Sequence, residues 1–211
     1  MDGGDFQQGD GRDPGGDGPE RERLIAAFGK AASEHGYRDL TVELVARYAG
    51  SSPERVEQHF ASKEEGLVAA HEAFLNRIWL DVLEACESTP EWPFKVRAAL
   101  HSVIHSLSEA ATLSRVFAIE ATAASFAAAE RQFATLDDLA RMLGDGRRHY
   151  PRASELPPAT ERALVGGIAS ILFGHLLAEE PGMLARLEPE LVEVLLVPFL
   201  GSSQARQVAR S

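Results

Sequence analysis

Residues Thr41–Lys63 read TVELVARYAGSSPERVEQHFASK, which divides into two short helical segments and the opening of a third. Thr41 suits a helix N-cap, Val42, Val45, Ala46 and Ala49 share one face of the first segment, and Gly50 supplies the left-handed residue that ends it. Ser52 at a cap, Pro53 at the first helical position and Glu54 near the positive end of the dipole mark the next start. Val56 and Phe60, four apart, turn that second helix inward and leave Glu54, Arg55, Glu57 and Gln58 facing outward. Ser62-Lys63-Glu64-Glu65 is a capping box for a third helix, whose free amides and lysine can hold a backbone phosphate. Helix, glycine turn, helix predicts a helix-turn-helix, the motif that lays its second helix in the major groove of DNA.

The flanks extend the pattern. Leu24, Phe28 and Ala31 form an apolar stripe on a preceding helix that ends at His35-Gly36-Tyr37. Taken in order, EHGY, LTVELVARYAG, HF and SKEE resemble the TetR/AcrR family of one-component transcriptional regulators over roughly residues 20–70, a specific likeness because independently spaced signals coincide. Further on, RVFAIEA (Arg115–Ala121) and LVEVLLVPFLG (Leu191–Gly201) look like the actinobacterial-type members. The resemblance implies an all-α protein with a three-helix head and a larger helical core. It divides the chain into an acidic, glycine-rich disordered tail at 1–18, the head at 19–66, a ligand-binding and dimerisation core at 67–201 and a flexible C-terminal tail at 202–211. It also implies DNA contacts from Thr41, Ser51, Ser52, Pro53, Arg55, Glu57, Gln58, His59 and Lys63, and a repressor released from a palindromic operator by a small-molecule effector.

The second helix of the motif departs from the family pattern. Glu57 stands where members usually carry a tyrosine that reaches a phosphate, and Glu54 where a small residue lets the backbone approach DNA. Arg55 can read guanine, Gln58 adenine, and a glutamate can accept from cytosine, so the helix is suited to reading bases at the expense of backbone grip. The same two acids keep open an alternative from another class, a small-molecule-binding helical dimer with weakened or lost DNA binding.

Charge sharpens that tension. The chain has 211 residues and a formal net charge of −11. Asp2, Asp5, Asp10, Asp13 and Asp17 sit in the glycine-rich start with only Arg12 opposing them, a composition that cannot bury enough apolar surface to fold. Residues 20–66 still carry more acids than bases, so any phosphate grip must come from a few local cations and helix starts. No apolar run reaches the roughly 18 residues of a membrane span, and the N-terminus lacks a basic then hydrophobic signal, so a cytoplasmic protein with no membrane partner is expected. The single Cys86 has no partner for a disulfide and reads as a structural thiol.

Beyond the head, prolines and glycines delimit further helices: from about Ser62 to Glu87, from Pro93 to Ala110, a short one near Leu113–Ala123, Ser125–Leu143, from Pro157-Pro158 to Glu180 with a stop at Pro181-Gly182, and a last one opened by Pro189 and running to Leu200. The penultimate helix carries Ala163, Gly166, Gly167, Ser170 and Gly174, small residues that lower helix propensity and suit close approach of another helix. With Leu191, Val194, Leu195 and Phe199 they predict a homodimer surface, since in the family the last two helices pair with their copies; an intrachain core would give the same pattern. For the effector, expected to be largely apolar, the residues at helical spacing in the middle helices are Trp79, Leu83, Leu100, Ile104, Phe117, Phe126, Phe133 and Leu136, with Glu120 and His175 as polar groups in otherwise apolar surroundings. Arg97, His101, His105 and Glu109 recur every four residues, but the leading arginine favours a solvated helix flank over a metal site. No catalytic motif and no cofactor signature is present, so a non-enzymatic protein is expected.

Overall fold

The computed structural model describes residues 17–122 and 125–211, without the side chains of Asp17, Ile119, Glu120 and Ala121. Helical periodicity becomes α1 (Asp17–His35), α2 (Val42–Ala49), α3 (Pro53–His59), α4 (Lys63–Glu87), α5 (Trp92–Glu109) and α6 (Ala111–Arg115), which passes directly into a π-helical turn at Val116–Ala121. Then come α7 (Phe126–Gly144), the short α8 (Gly146–His149), a 3-10 turn at Pro151–Glu155, α9 (Thr160–Leu177), α10 (Pro181–Leu200) and α11 (Ser202–Arg210). No strand occurs among the described residues. Of the stretch read as an acidic tail, residues 1–16 lie outside the described residues, and α1 already begins at Asp17.

The head is built by its caps. Thr41 Oγ1 accepts the Leu44 N–H at 3.2 Å, Gly50 ends α2 at φ 61°, and Ser52 Oγ accepts the Arg55 N–H at 3.4 Å. Ser62 Oγ accepts from Glu65 N at 3.2 Å while the Glu65 carboxylate reaches back to Ala61 N at 2.7 Å, a reciprocal box that fixes the start of α4. Inside, Leu24, Phe28, Ala31, Leu44, Val45, Val56 and Phe60 are buried together, with the Phe28 and Phe60 rings edge to face at 5.2 Å. Gly66 on α4 makes this possible. A Cβ there would lie 2.1 Å from Phe28 Cζ, so only glycine lets the ring press on the helix backbone.

The larger core gathers one face each of α4, α5, α9, α10 and α11 around Val82, Ile104, Leu172, Leu184, Leu196 and Phe199. Trp92, the first residue of α5, packs on Phe199 at 4.9 Å between ring centres and on the backbone of α8, where a Cβ on Gly146 would lie 2.3 Å from the indole. Arg147 pins the following connection: its guanidinium donates to the carbonyls of Ala153, Leu156 and Pro157 and to both carboxylate oxygens of Glu161. Burial, the largest single influence, would raise the Glu161 pKa; the Arg147 hydrogen bonds, a hydrogen bond from its own backbone amide and the Arg147 charge together outweigh it and hold the carboxyl below its ordinary range.

Three boundaries correct the sequence reading. Pro181-Gly182 opens α10 instead of stopping a helix, because proline fits the first turn, where its missing N–H has no partner to lose. Pro189 and Pro198 then lie inside α10, tolerated because Leu191, Val192, Leu195, Leu196 and Phe199 bury the helix on both sides of them. Residues 202–210 form α11, not a flexible tail, since Ala205, Val208 and Ala209 face the core and Arg97 donates to the Ser211 hydroxyl at 3.0 Å.

Candidate nucleic-acid interface and ligand cavity

The motif presents α3 along an exposed edge of the head. Arg55, Glu57, Gln58 and Glu54 are exposed there, and Ser51, Ser52 and Pro53 are half-buried at its start. Arg55 is not free. Its Nε donates to Glu20 Oε1 at 3.1 Å, its Nη2 contacts the other Glu20 oxygen, and its Nη1 donates to Gln58 Oε1 at 3.1 Å. The two side chains suited to reading bases are thus tied to each other and to the first turn of α1, and the Arg55 hydrogen bonds draw the Glu20 pKa below its usual value. Glu20 escaped the sequence reading because it lies 35 positions from Arg55 and no local spacing links them.

Two other expected contacts are placed differently. His59 turns inward, with Nε2 3.7 Å from Glu20 and its side chain 9% exposed, because the last turn of α3 faces α1. Lys63 Nζ donates to the Leu40 carbonyl at 3.1 Å and lies over the Tyr37 ring at 4.8 Å, which fixes its charge next to the N-cap of α2. Glu54 has a helix-capping role: the Ser52 hydroxyl and its own backbone amide lower its pKa, as suits a carboxylate at a helix N-terminus.

Behind the head, a cavity of about 290 Å³ lies among α4, α5, the α6 and π-helical segment, α7 and α9. One wall is the α4 stripe His71, Phe74, Leu75, Ile78 and Cys86; the opposite walls include Leu100, Val103, Phe117, Leu139, Ile168 and Leu172. Leu100 and Phe117 were expected in it, and Ile104 is buried beside it without lining it. Trp79 and Leu83 do not line it, because the cavity stripe of α4 is the one through 71, 74, 75, 78 and 86, centred about 100° away from 79 and 83. Phe126 and Phe133 are 85% and 68% exposed on the outer face of α7, whose inner face presents Gln132, Leu136 and Leu139. His175 sits at the end of α9, 3.3 Å from the Glu180 carboxylate and outside the cavity. The Glu120 side chain lies outside the described residues.

His71 is the polar group the sequence reading missed. It is 1% exposed, its Nδ1 has no hydrogen-bond partner, and burial lowers its pKa to about 4. Its ring packs on Phe117 at 5.2 Å, and Phe117 packs on Phe74 at 5.4 Å. Phe117 also belongs to the buried cluster that contains Phe28 and Ala31 of α1, so one side chain touches both the cavity and the head. The π-helical turn sets its position, an irregularity that often marks functional helix segments.

Of the expected dimer residues, Ala163, Gly167, Ser170 and Gly174 are exposed in a line along α9, Gly166 is half-buried and Val194 is exposed on α10. A Cβ on Gly166, Gly167 or Gly174 would meet nothing within 4 Å, so packing within this chain does not require their smallness. Leu191, Leu195 and Phe199 are corrected to intrachain core: the one face of α10 that carries all three packs on α5 and α11. His101 lies 2.9 Å from Glu188, His105 lies 3.3 Å from Glu109, and among the described residues no cluster of three metal-ligating side chains occurs. Among the described residues no helix is long and apolar enough to cross a membrane.

No family model and no curated protein sequence matches the chain. Solved structures do. The chain is similar to the fatty acid degradation regulator FadR from Bacillus halodurans, with a TM-score of 0.68 and 16% identity over 88% of this chain and 97% of that one. It is also similar to the transcriptional regulator FadR from Bacillus subtilis in complex with stearoyl-CoA, with a TM-score of 0.67 and 17% identity over 85% and 98%. A third, from Mesorhizobium loti and described as a TetR-family transcriptional regulator, gives a TM-score of 0.56 and 18% identity over 91% and 90%. The chain therefore has the TetR-family fold, a helix-turn-helix head on an all-α core.

Proposed function

We propose that the protein is a dimeric, ligand-responsive regulator of transcription that binds a palindromic operator through α3 and is released when a small molecule fills the core cavity. The observation that carries this reading is the shared position of Phe117, in the cavity wall and in the buried cluster that continues into the head through α1. A ligand acts only by preferring one of two arrangements, and displacing Phe117 is a route from cavity filling to head orientation. Two heads must meet successive major grooves roughly 34–36 Å apart, so a small change of tilt breaks the match. Arg55 and Gln58 read bases, Glu57 accepts from cytosine, and Thr41, Ser51, Ser52 and Lys63 hold phosphates around the starts of α2, α3 and α4. The stripe of Ala163, Gly166, Gly167, Ser170 and Gly174 with Val194 forms the dimer contact.

The test is selection of a duplex from a random library, followed by fluorescence anisotropy at several salt concentrations. Arg55→Ala is expected to cost about 1–3 kcal/mol on the selected site and to relax preference at one position, whereas Lys63→Ala weakens all sequences alike and lowers the salt slope by about one unit. If no duplex binds the wild type above the non-specific level, the regulator reading fails and the protein is a small-molecule-binding helical dimer.

A further inference from the structure

The cavity has a direction. Its α4 wall extends from His71 to Cys86, fifteen helical steps, or roughly 22 Å at the rise of 1.5 Å per residue. Between these ends the wall is aliphatic and aromatic, with Leu75, Ile78, Leu100 and Leu172 facing the space. The titratable groups in the wall are few. Lys95 and Asp145, of opposite sign, lie at the far end with Cys86 and Trp92, and His71 lies at the end nearest the head.

At that near end none of the described lining residues carries a positive charge. Phe74 and Phe117 flank the imidazole, the Ser114 hydroxyl donates to the Leu107 carbonyl at 3.1 Å, and burial keeps His71 neutral down to about pH 4. Gln132 and Thr135, the polar residues of the α7 wall, are neutral, and the Thr135 hydroxyl donates to the Arg131 carbonyl at 3.1 Å. A carboxylate or phosphate at this end would be desolvated without a counter-ion, whereas an uncharged hydroxyl or carbonyl would satisfy a buried nitrogen that has no protein partner.

We infer that the effector is an uncharged, elongated aliphatic molecule with one hydroxyl or carbonyl, held at the His71 imidazole with its aliphatic body lying along α4 toward Cys86. This rests on the ligand-responsive reading above and narrows it to a chemical class. The polar end of the molecule then sits against Phe117, where its arrival bears directly on the packing of α1.

Binding is measured on the full protein without DNA, by calorimetry and by fluorescence of Trp92 in the wall, with 1-dodecanol, dodecane, dodecanoate and stearoyl-CoA as probes. The expected order places dodecanol first, dodecanoate and stearoyl-CoA at least about tenfold weaker, and a loss of about 3- to 10-fold in dodecanol affinity for His71→Phe with dodecane unchanged. Because the probe order is read on the wild type, the result does not depend on the variant folding. Tighter binding of dodecanoate or stearoyl-CoA, abolished by Lys95→Met, would overturn the inference in favour of an anionic ligand held at the far end, and so would failure of all four probes to bind. Dodecanol that binds but leaves the affinity for a selected operator unchanged sinks the ligand-responsive reading while the chemical class stands.

Discussion

The same glycine-to-alanine change should have opposite effects at two positions of the head. At Gly66 the new methyl would lie 2.1, 2.2 and 2.5 Å from three atoms of the Phe28 ring, which is fully buried and wedged against Phe60 at 5.2 Å. The ring cannot swing aside, so the cost falls at the upper end of the usual overpacking range, about 3 kcal/mol. Against it stands a helix-propensity gain of about 1 kcal/mol, leaving a net loss of about 2 kcal/mol. At Gly29, inside α1, the nearest foreign atom to a new methyl is Leu113 Cδ1 at 4.0 Å, an ordinary contact, so only the gain of about 0.5–1 kcal/mol remains. For a chain of this size, 1 kcal/mol shifts Tm by about 2–4 °C. Thermal unfolding followed by circular dichroism should therefore show Gly66→Ala melting about 4–8 °C below wild type and Gly29→Ala about 1–4 °C above it. A Gly66→Ala protein as stable as wild type would refute the claim that Phe28 needs bare backbone on α4.

Other outcomes follow from the core and the α9 surface. His71 titrates near 6.5 when unfolded and at about 4 when folded, so the unfolded chain binds the extra proton between those values. Stability should be level above about pH 6.5 and decline toward pH 4 by an amount on the order of 3 kcal/mol, and His71→Phe should flatten that part of the Tm against pH curve. If the two curves stay parallel, the histidine is not buried in neutral form. Gly167→Arg places bulk on the exposed stripe of α9 and should move the mass measured by light scattering from dimer to monomer or aggregate; a wild type that is monomeric at about ten micromolar or more would discount the dimer surface.

The head was legible because each of its signals is local. Thr41, Gly50, Ser52, Pro53 and Ser62 act within four residues of themselves, and their caps form as the spacing predicts. The cavity was less legible because it depends on which of two adjacent stripes of α4 faces inward. Trp79 and Leu83 are as apolar as Leu75 and Ile78, and His71 looks polar until the fold buries it; the recurrence 71, 75, 78, 82, 86 was a signal that could have been weighed. Long-range pairs such as Glu20 with Arg55 and Gly146 with Trp92 leave no periodic trace. The α10 prolines misled for a related reason: a rule about local hydrogen bonding gave way to packing along both sides of the helix.

A single helix, α4, carries both vocabularies of this protein. Its first turn, through Lys63 and Gly66, belongs to the head, and about four later turns, from His71 to Cys86, form a wall of the cavity. None of the exposed α3 residues lines that cavity. Substitutions at Leu75, Ile78 or Leu100 can therefore change what the core accepts without rewriting what α3 can touch, and changes at Glu57 or Gln58 can do the reverse. Under the proposed function, the two specificities would be free to diversify separately while the one helix between them keeps input and output mechanically joined.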